Sequence, residues 1–182
     1  MTLRITKSTQ ADMIMREFLD AFYRVCLMVA ATGMVLIGLV VLAQVFGRLF
    51  GIMVPSAPEI AGYAMATSSF MALAYTFRTG GHVRVSLLIA NISDHRRRLV
   101  EIAVLGLALA LCVCFFIYIA WMTVETYALN EVSSGVLAIP LWIPQTFITV
   151  GVFALALAIG EELVNALQGR MPTYVGKDEL GH

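Results

Sequence analysis

The sequence predicts an all-α integral membrane protein, with four transmembrane helices plus an N-terminal amphipathic interfacial helix and both termini cytoplasmic. Three observations predict it. Hydrophobic residues make up 60% of the chain and charged residues only 13%, whereas about a quarter of a soluble domain is charged. Four apolar stretches approach or exceed the roughly 20 residues that carry a helix across a bilayer core. Lys and Arg are confined almost wholly to one side of those stretches.

The spans run from about Val25 to Gly47, Glu59 to Phe77, Leu99 to Val124 and Leu141 to Gly160. The whole chain, 1–182, reads as a single membrane domain. Basic residues in short loops mark the cytoplasmic side. Arg4, Lys7, Arg16 and Arg24 precede the first span. Arg78, Arg84, Arg96, Arg97 and Arg98 lie between the second and third, and Arg170 and Lys177 follow the fourth. Arg48 alone falls on the other side. Pro140, Trp142 and Pro144 open the fourth span. Proline is tolerated there because its missing donor would be unpaired anyway, and tryptophan suits the membrane interface.

Two segments are expected to lie on the membrane. In residues 11–24, Asp12, Arg16, Asp20 and Arg24 recur every four residues with alternating sign. On a helix they form a ladder of opposite charges. Ile14, Met15, Phe18, Leu19 and Phe22 take the other side, as in a helix lying in the interface plane. The plainer alternative is an extension of the first span into the cytoplasm. Residues 80–98 form a cytoplasmic connecting arm, opened by Gly80-Gly81 and apolar from Val83 to Ile92.

The chemistry that is missing restricts function. No ionisable residue lies near the middle of any span, and ion pathways and proton relays need such groups at depth. His82, His95 and His182 lie outside the spans, so no haem ligand set is present. Cys26, Cys112 and Cys114 match neither a redox pair nor a zinc set. No catalytic residues, metal site or cofactor is expected, and the zero net charge implies no nucleic acid partner. Small residues recur every four positions in three spans: Ala64, Ser68 and Ala72, with Gly62 and Ala66; Gly106, Ala110 and Cys114; Ala154 and Ala158, with Ala156 and Gly160. Such faces let helices approach closely, within the chain or with a partner. An accessory or scaffold protein fits better than a catalyst or a pore.

Particular residues then carry a family likeness. Arg48 ends the first span, and Glu59-Ile60-Ala61 opens the second. Ala74-Tyr75, Arg78, Gly81-His82-Val83 and Val85 follow. Ser134, Leu137-Ala138-Ile139-Pro140 and Trp142 precede the fourth span. In these residues the chain resembles the DctQ-like small membrane subunit of tripartite ATP-independent periplasmic (TRAP) transporters. One departure is Ser86, where that family often has an acid.

The resemblance implies a bacterial inner-membrane protein working with two partners. A large multi-spanning membrane subunit would carry the substrate and sodium sites. A periplasmic substrate-binding protein would deliver the substrate, often an organic acid. The small subunit would brace the large one. Arg48, Glu59, Arg78, His82 and Arg84 are the candidates for contact with the large subunit or with lipid. Their plainer readings are positive-inside anchoring for the arginines at 78 and 84, a favourable acid at a helix start for Glu59, and a solvated histidine. The rival reading is a self-sufficient homo-oligomeric channel or transporter, for which Thr32, Gln44, Thr67, Ser68 and Ser69 are the available polar material.

Overall fold

The computed structural model describes residues 2–52, 54–79 and 94–168, with side chains described from residue 17 in the first helix and from residue 99 in the third. It contains four helices: α1 (Thr2–Leu49), α2 (Ala57–Arg78), α3 (Asp94–Ala128) and α4 (Trp142–Leu167). Apart from one isolated bridge between Val132 and Pro140, no strand pairing occurs among the described residues.

Three stretches among the described residues are long and apolar enough to cross a membrane by length and composition. They are Glu17–Leu49, Leu99–Ala128 and Trp142–Leu167. The remaining helix, α2, has 22 residues, about 33 Å at the usual rise per residue. Gly62, Tyr63, Thr67, Ser68 and Ser69 keep it less apolar than those three stretches.

The expectation of a separate interfacial helix over 11–24 differs from what is found. α1 runs unbroken through that segment and into the apolar stretch. The physical reason is local. No proline occurs before Pro55 and no glycine before Gly33, so nothing interrupts the i to i−4 ladder. The amphipathic face is also used differently. Leu19 and Phe22 pack against the protein core and Tyr23 is buried in it, while Phe18 is exposed. Of the expected connecting arm over 80–98, residues 94–98 are the first turns of α3 and 80–93 lie outside the described residues.

α1 stops where Gly51 enters the left-handed region at φ +71°. The amide of Ile52 donates to the Gly47 carbonyl at 2.8 Å and that of Gly51 to Arg48. These bonds satisfy carbonyls that a helix end otherwise leaves bare. Ser56 and Pro58 start α2, and a proline in a first turn costs no hydrogen bond.

The helices pack serially, α1 on α2, α2 on α4 and α4 on α3. α1 and α3 therefore form opposite flanks. The core lies among α1, α2 and α4 and is built mostly of small residues: Tyr23, Cys26, Ala30, Met71, Ala74, Ala154 and Ala158. Of the small-residue rows expected in α2 and α4, one in each helix serves this core, with Ala64, Ser68, Ala154 and Ala158 all buried, while Gly62 and Gly160 of the other two have open space beside them. The row in α3 does not, since Ala110 and Cys114 face outward and Gly106 has open space beside it.

Two close approaches set the spacing. A Cβ on Gly33 of α1 would lie 3.2 Å from both the Ala64 carbonyl oxygen and Ser68 Cβ. A Cβ on Gly151 of α4 would lie 2.6 Å from the Phe70 carbonyl. The hydroxyl of Ser68 donates to the Ala30 carbonyl of α1 at 2.8 Å. On the far flank, the hydroxyls of Thr123 and Thr149 meet at 3.2 Å. The rings of Phe116 and Phe153 stack obliquely at 5.4 Å.

Substituting Gly151 by leucine drives a side chain into α2 backbone, which cannot rotate aside. Thermal denaturation in mild detergent should show a clear loss, on the order of the 1–3 kcal/mol that overpacking costs. Gly38→Leu, where nothing lies within 4 Å, should leave the transition in place.

Candidate functional site

Among the described residues the charged side chains collect at the two ends of the helix assembly. At one end Arg78, in the last turn of α2, joins three helices. Its guanidinium pairs with Asp20 of α1 at 2.5 Å and with Glu161 of α4 at 3.7 Å. The same group lies 4.7 Å from the ring centroid of Tyr23, again on α1. That ring is 1% exposed and presents the face a cation favours. Helix geometry brings these groups together. Asp20 and Tyr23 are three apart on α1 and so share a face. Arg78 lies in the last turn of α2, and Glu161 in the C-terminal third of α4.

At the other end the loops joining α1 to α2 and α3 to α4 interlock. Ser56 is the residue before α2, yet its hydroxyl does not cap that helix. It accepts the amide of Leu137 from the other loop at 3.1 Å. Glu59, in the first turn of α2, accepts the Tyr63 hydroxyl at 3.1 Å. Its other oxygen is buried and packs against Gly135, where a Cβ would collide with it. The second loop is internally folded. Ser133 donates its amide to Ile139 at 2.8 Å, Leu141 donates to Glu131 at 3.1 Å, and the Ser133 hydroxyl donates to the Leu137 carbonyl at 3.2 Å. Trp142 leaves this loop and meets Tyr127 of α3 edge to face at 5.5 Å.

The five residues singled out from the sequence thus fall in different places. Arg78 is an intramolecular clasp, and Glu59 is part of the loop latch. Arg48 sits in the last turn of α1, exposed, at the latch end. His82 and Arg84 lie outside the described residues. No two of the three described residues meet in one cluster. Sequence reasoning missed the partners: Asp20 and Glu161 for Arg78, and Ser56 and Gly135 for the latch. The signal available was charge bookkeeping at the helix ends, where an arginine and two acids occur on separate helices.

Among the described residues no group of His, Cys, Asp and Glu is placed to hold a metal ion. What the two polar clusters do is mechanical. Each ties the ends of neighbouring helices, and the small-residue core fills the length between them.

Removing the clasp should loosen the assembly measurably. Arg78→Ala is expected to cost about 1–2 kcal/mol, combining partly exposed ion pairs with a cation–ring contact. Asp20→Asn alone should cost less, and a double-mutant cycle should return a non-zero coupling between the two. For the latch, Ser56→Ala removes the acceptor of the Leu137 amide. Hydrogen exchange should then speed up at Leu137 and its loop neighbours while the mid-helix amides of α2 keep their protection.

Comparisons with known proteins come to bear on this arrangement. A family model described as "Tripartite ATP-independent periplasmic transporters, DctQ component" matches residues 37–169. Neither the curated proteins nor the solved structures gave a match. The matched span takes in the end of α1 with Arg48, all of α2 with Glu59 and Arg78, the latch loop and α4. The chain belongs to the DctQ component family of tripartite ATP-independent periplasmic transporters.

Proposed function

We propose that this chain is the small membrane subunit that docks beside the large transport subunit of its system and holds that subunit's scaffold still. The uptake it serves is sodium-coupled import of an organic acid delivered by a periplasmic binding protein. The observation that carries this reading is the division of the molecule into a tied interior and bare flanks. The interior is locked by the Arg78 clasp, the Ser56 and Glu59 latch and the close approaches at Gly33 and Gly151. The flanks present long apolar faces, with Leu107, Leu111, Ile117, Trp121 and Val124 of α3 all more than half exposed. A brace needs rigidity and a surface to press against a partner. It needs no moving charge at depth.

The topology proposed with it has four crossings and both termini in the cytoplasm of a bacterial inner membrane. α2 is less apolar than the three stretches that are apolar enough to span, but α1 and α4 pack against it on two sides. Ser68 is buried and Tyr63, Thr67 and Tyr75 are half-buried, which supports its placement as a span. The Arg78 end then faces the cytoplasm and the latch end the periplasm. Arg78 and Glu59 act within the subunit, holding the shape that docks. His82 and Arg84, in the connecting arm, remain candidates for contact with the large subunit or lipid.

Affinity purification of the tagged chain from its native membrane tests the reading. A large polytopic protein should accompany it in a fixed ratio, and uptake by reconstituted vesicles should require both chains. Recovery of the chain alone, as a homo-oligomer that moves solute in liposomes, would overturn it. Arg78→Ala should weaken the association even though Arg78 points inward, because the docking shape relaxes.

A further inference from the structure

We infer that Arg48 and the apolar tip beside it form a binding site for the phosphate of an anionic phospholipid, in the leaflet at the latch end. Three observations carry this. The loops at that end, residues 49–58 and 129–141, contain no other basic residue. The ion pairs seen among the described residues both belong to Arg78, and the side chain of Arg48 is exposed. Around it stand some of the most exposed apolar side chains of the molecule: Leu49 at 74%, Phe50 at 78% and Ile52 at 63%.

The placement of these groups matches a lipid. The apolar tip continues the exposed face of α1 through Leu42, Val45 and Phe46, within a stretch long and apolar enough to cross a bilayer. An arginine at such an exit lays its stem on apolar surface and lifts its charge to the headgroup level. Its planar fork suits phosphate oxygens. Charge complementarity selects the flank as well. The exposed acids at this end, Glu125 and Glu131, belong to the α3 side, which leaves the α1 side as the attractive one for an anion. Leu49, Phe50 and Ile52 would sit among acyl chains, and the guanidinium would pair with the phosphodiester. The inference rests on α1 crossing a bilayer and is independent of which protein the chain docks with.

The test uses the full-length chain carrying Phe50→Trp, reconstituted in phosphatidylcholine nanodiscs. Quenching by brominated phosphatidylglycerol is compared with quenching by brominated phosphatidylcholine, with the unsubstituted chain giving the contribution of Trp121 and Trp142. The added tryptophan should report a preference for the anionic lipid of about five-fold, equivalent to the roughly 1 kcal/mol of one basic residue at an anionic surface. Arg48→Gln in that background should bring the ratio to about one, Arg48→Lys should keep most of it, and helix content should be unchanged throughout. Equal quenching by the two lipids would overturn the inference, as would a preference that survives Arg48→Gln. Equal quenching together with loss of the large subunit on Arg48→Gln would assign this arginine to protein contact instead.

Discussion

Everything in this molecule depends on how closely α2 lies to its two neighbours. Gly33 brings α1 against the Ala64 and Ser68 turn, and Gly151 brings α4 against the backbone of Phe70. In lipid the hydrophobic effect does not drive helices together, so van der Waals contact and hydrogen bonds must do it. Both fall off steeply with separation. A core of four alanines, a cysteine, one methionine and one tyrosine packs well along most of its length only at short range. The same proximity lets the Ser68 hydroxyl reach the Ala30 carbonyl.

The polar ties at the ends follow from that spacing. With the helices near, the single guanidinium of Arg78 reaches acids on both neighbours and the face of Tyr23. A longer gap would leave it serving one helix only. At the other end, the two loops come close enough for the Ser56 hydroxyl to serve the neighbouring loop in place of its own helix. The Glu59 carboxylate fits because position 135 has no side chain. The result is a unit fixed at both ends and along its middle. Its exposed apolar surface lies on the flanks, where a partner or lipid is to be met. That build suits the bracing role proposed for it.

Much of this was legible in the sequence, for physical reasons. Burial of a helix face imposes period, and the four-residue repeats of Ala64 with Ser68 and of Ala154 with Ala158 fall on packed faces, although Gly62 and Gly160, in rows of the same spacing, have open space beside them. The start of the fourth helix was announced by Pro144 beside Trp142. Arg78 and Glu59 were singled out through the family likeness, but their roles were not visible. The partners of Arg78 are 58 and 83 positions away in sequence, and no local period encodes such a meeting. The segment 11–24 misled because its charge ladder is that of a surface helix. Asp20 and Tyr23 were instead recruited by Arg78, which straight helical continuation from Thr2 to Leu49 makes possible. The row of Gly106, Ala110 and Cys114 looked like those of α2 and α4 yet faces outward. Spacing alone carries no information about which side a neighbour occupies.

The central claim is that this subunit keeps one shape while its partner moves. Electron–electron distance measurement addresses it most directly, with spin labels on exposed positions of the two flanks, Leu39 of α1 and Leu111 of α3, in the complex with the large subunit. The account predicts a single narrow distance that does not change when sodium and substrate are added or withdrawn. A distribution that shifts by several ångströms or splits in two between those conditions would contradict it.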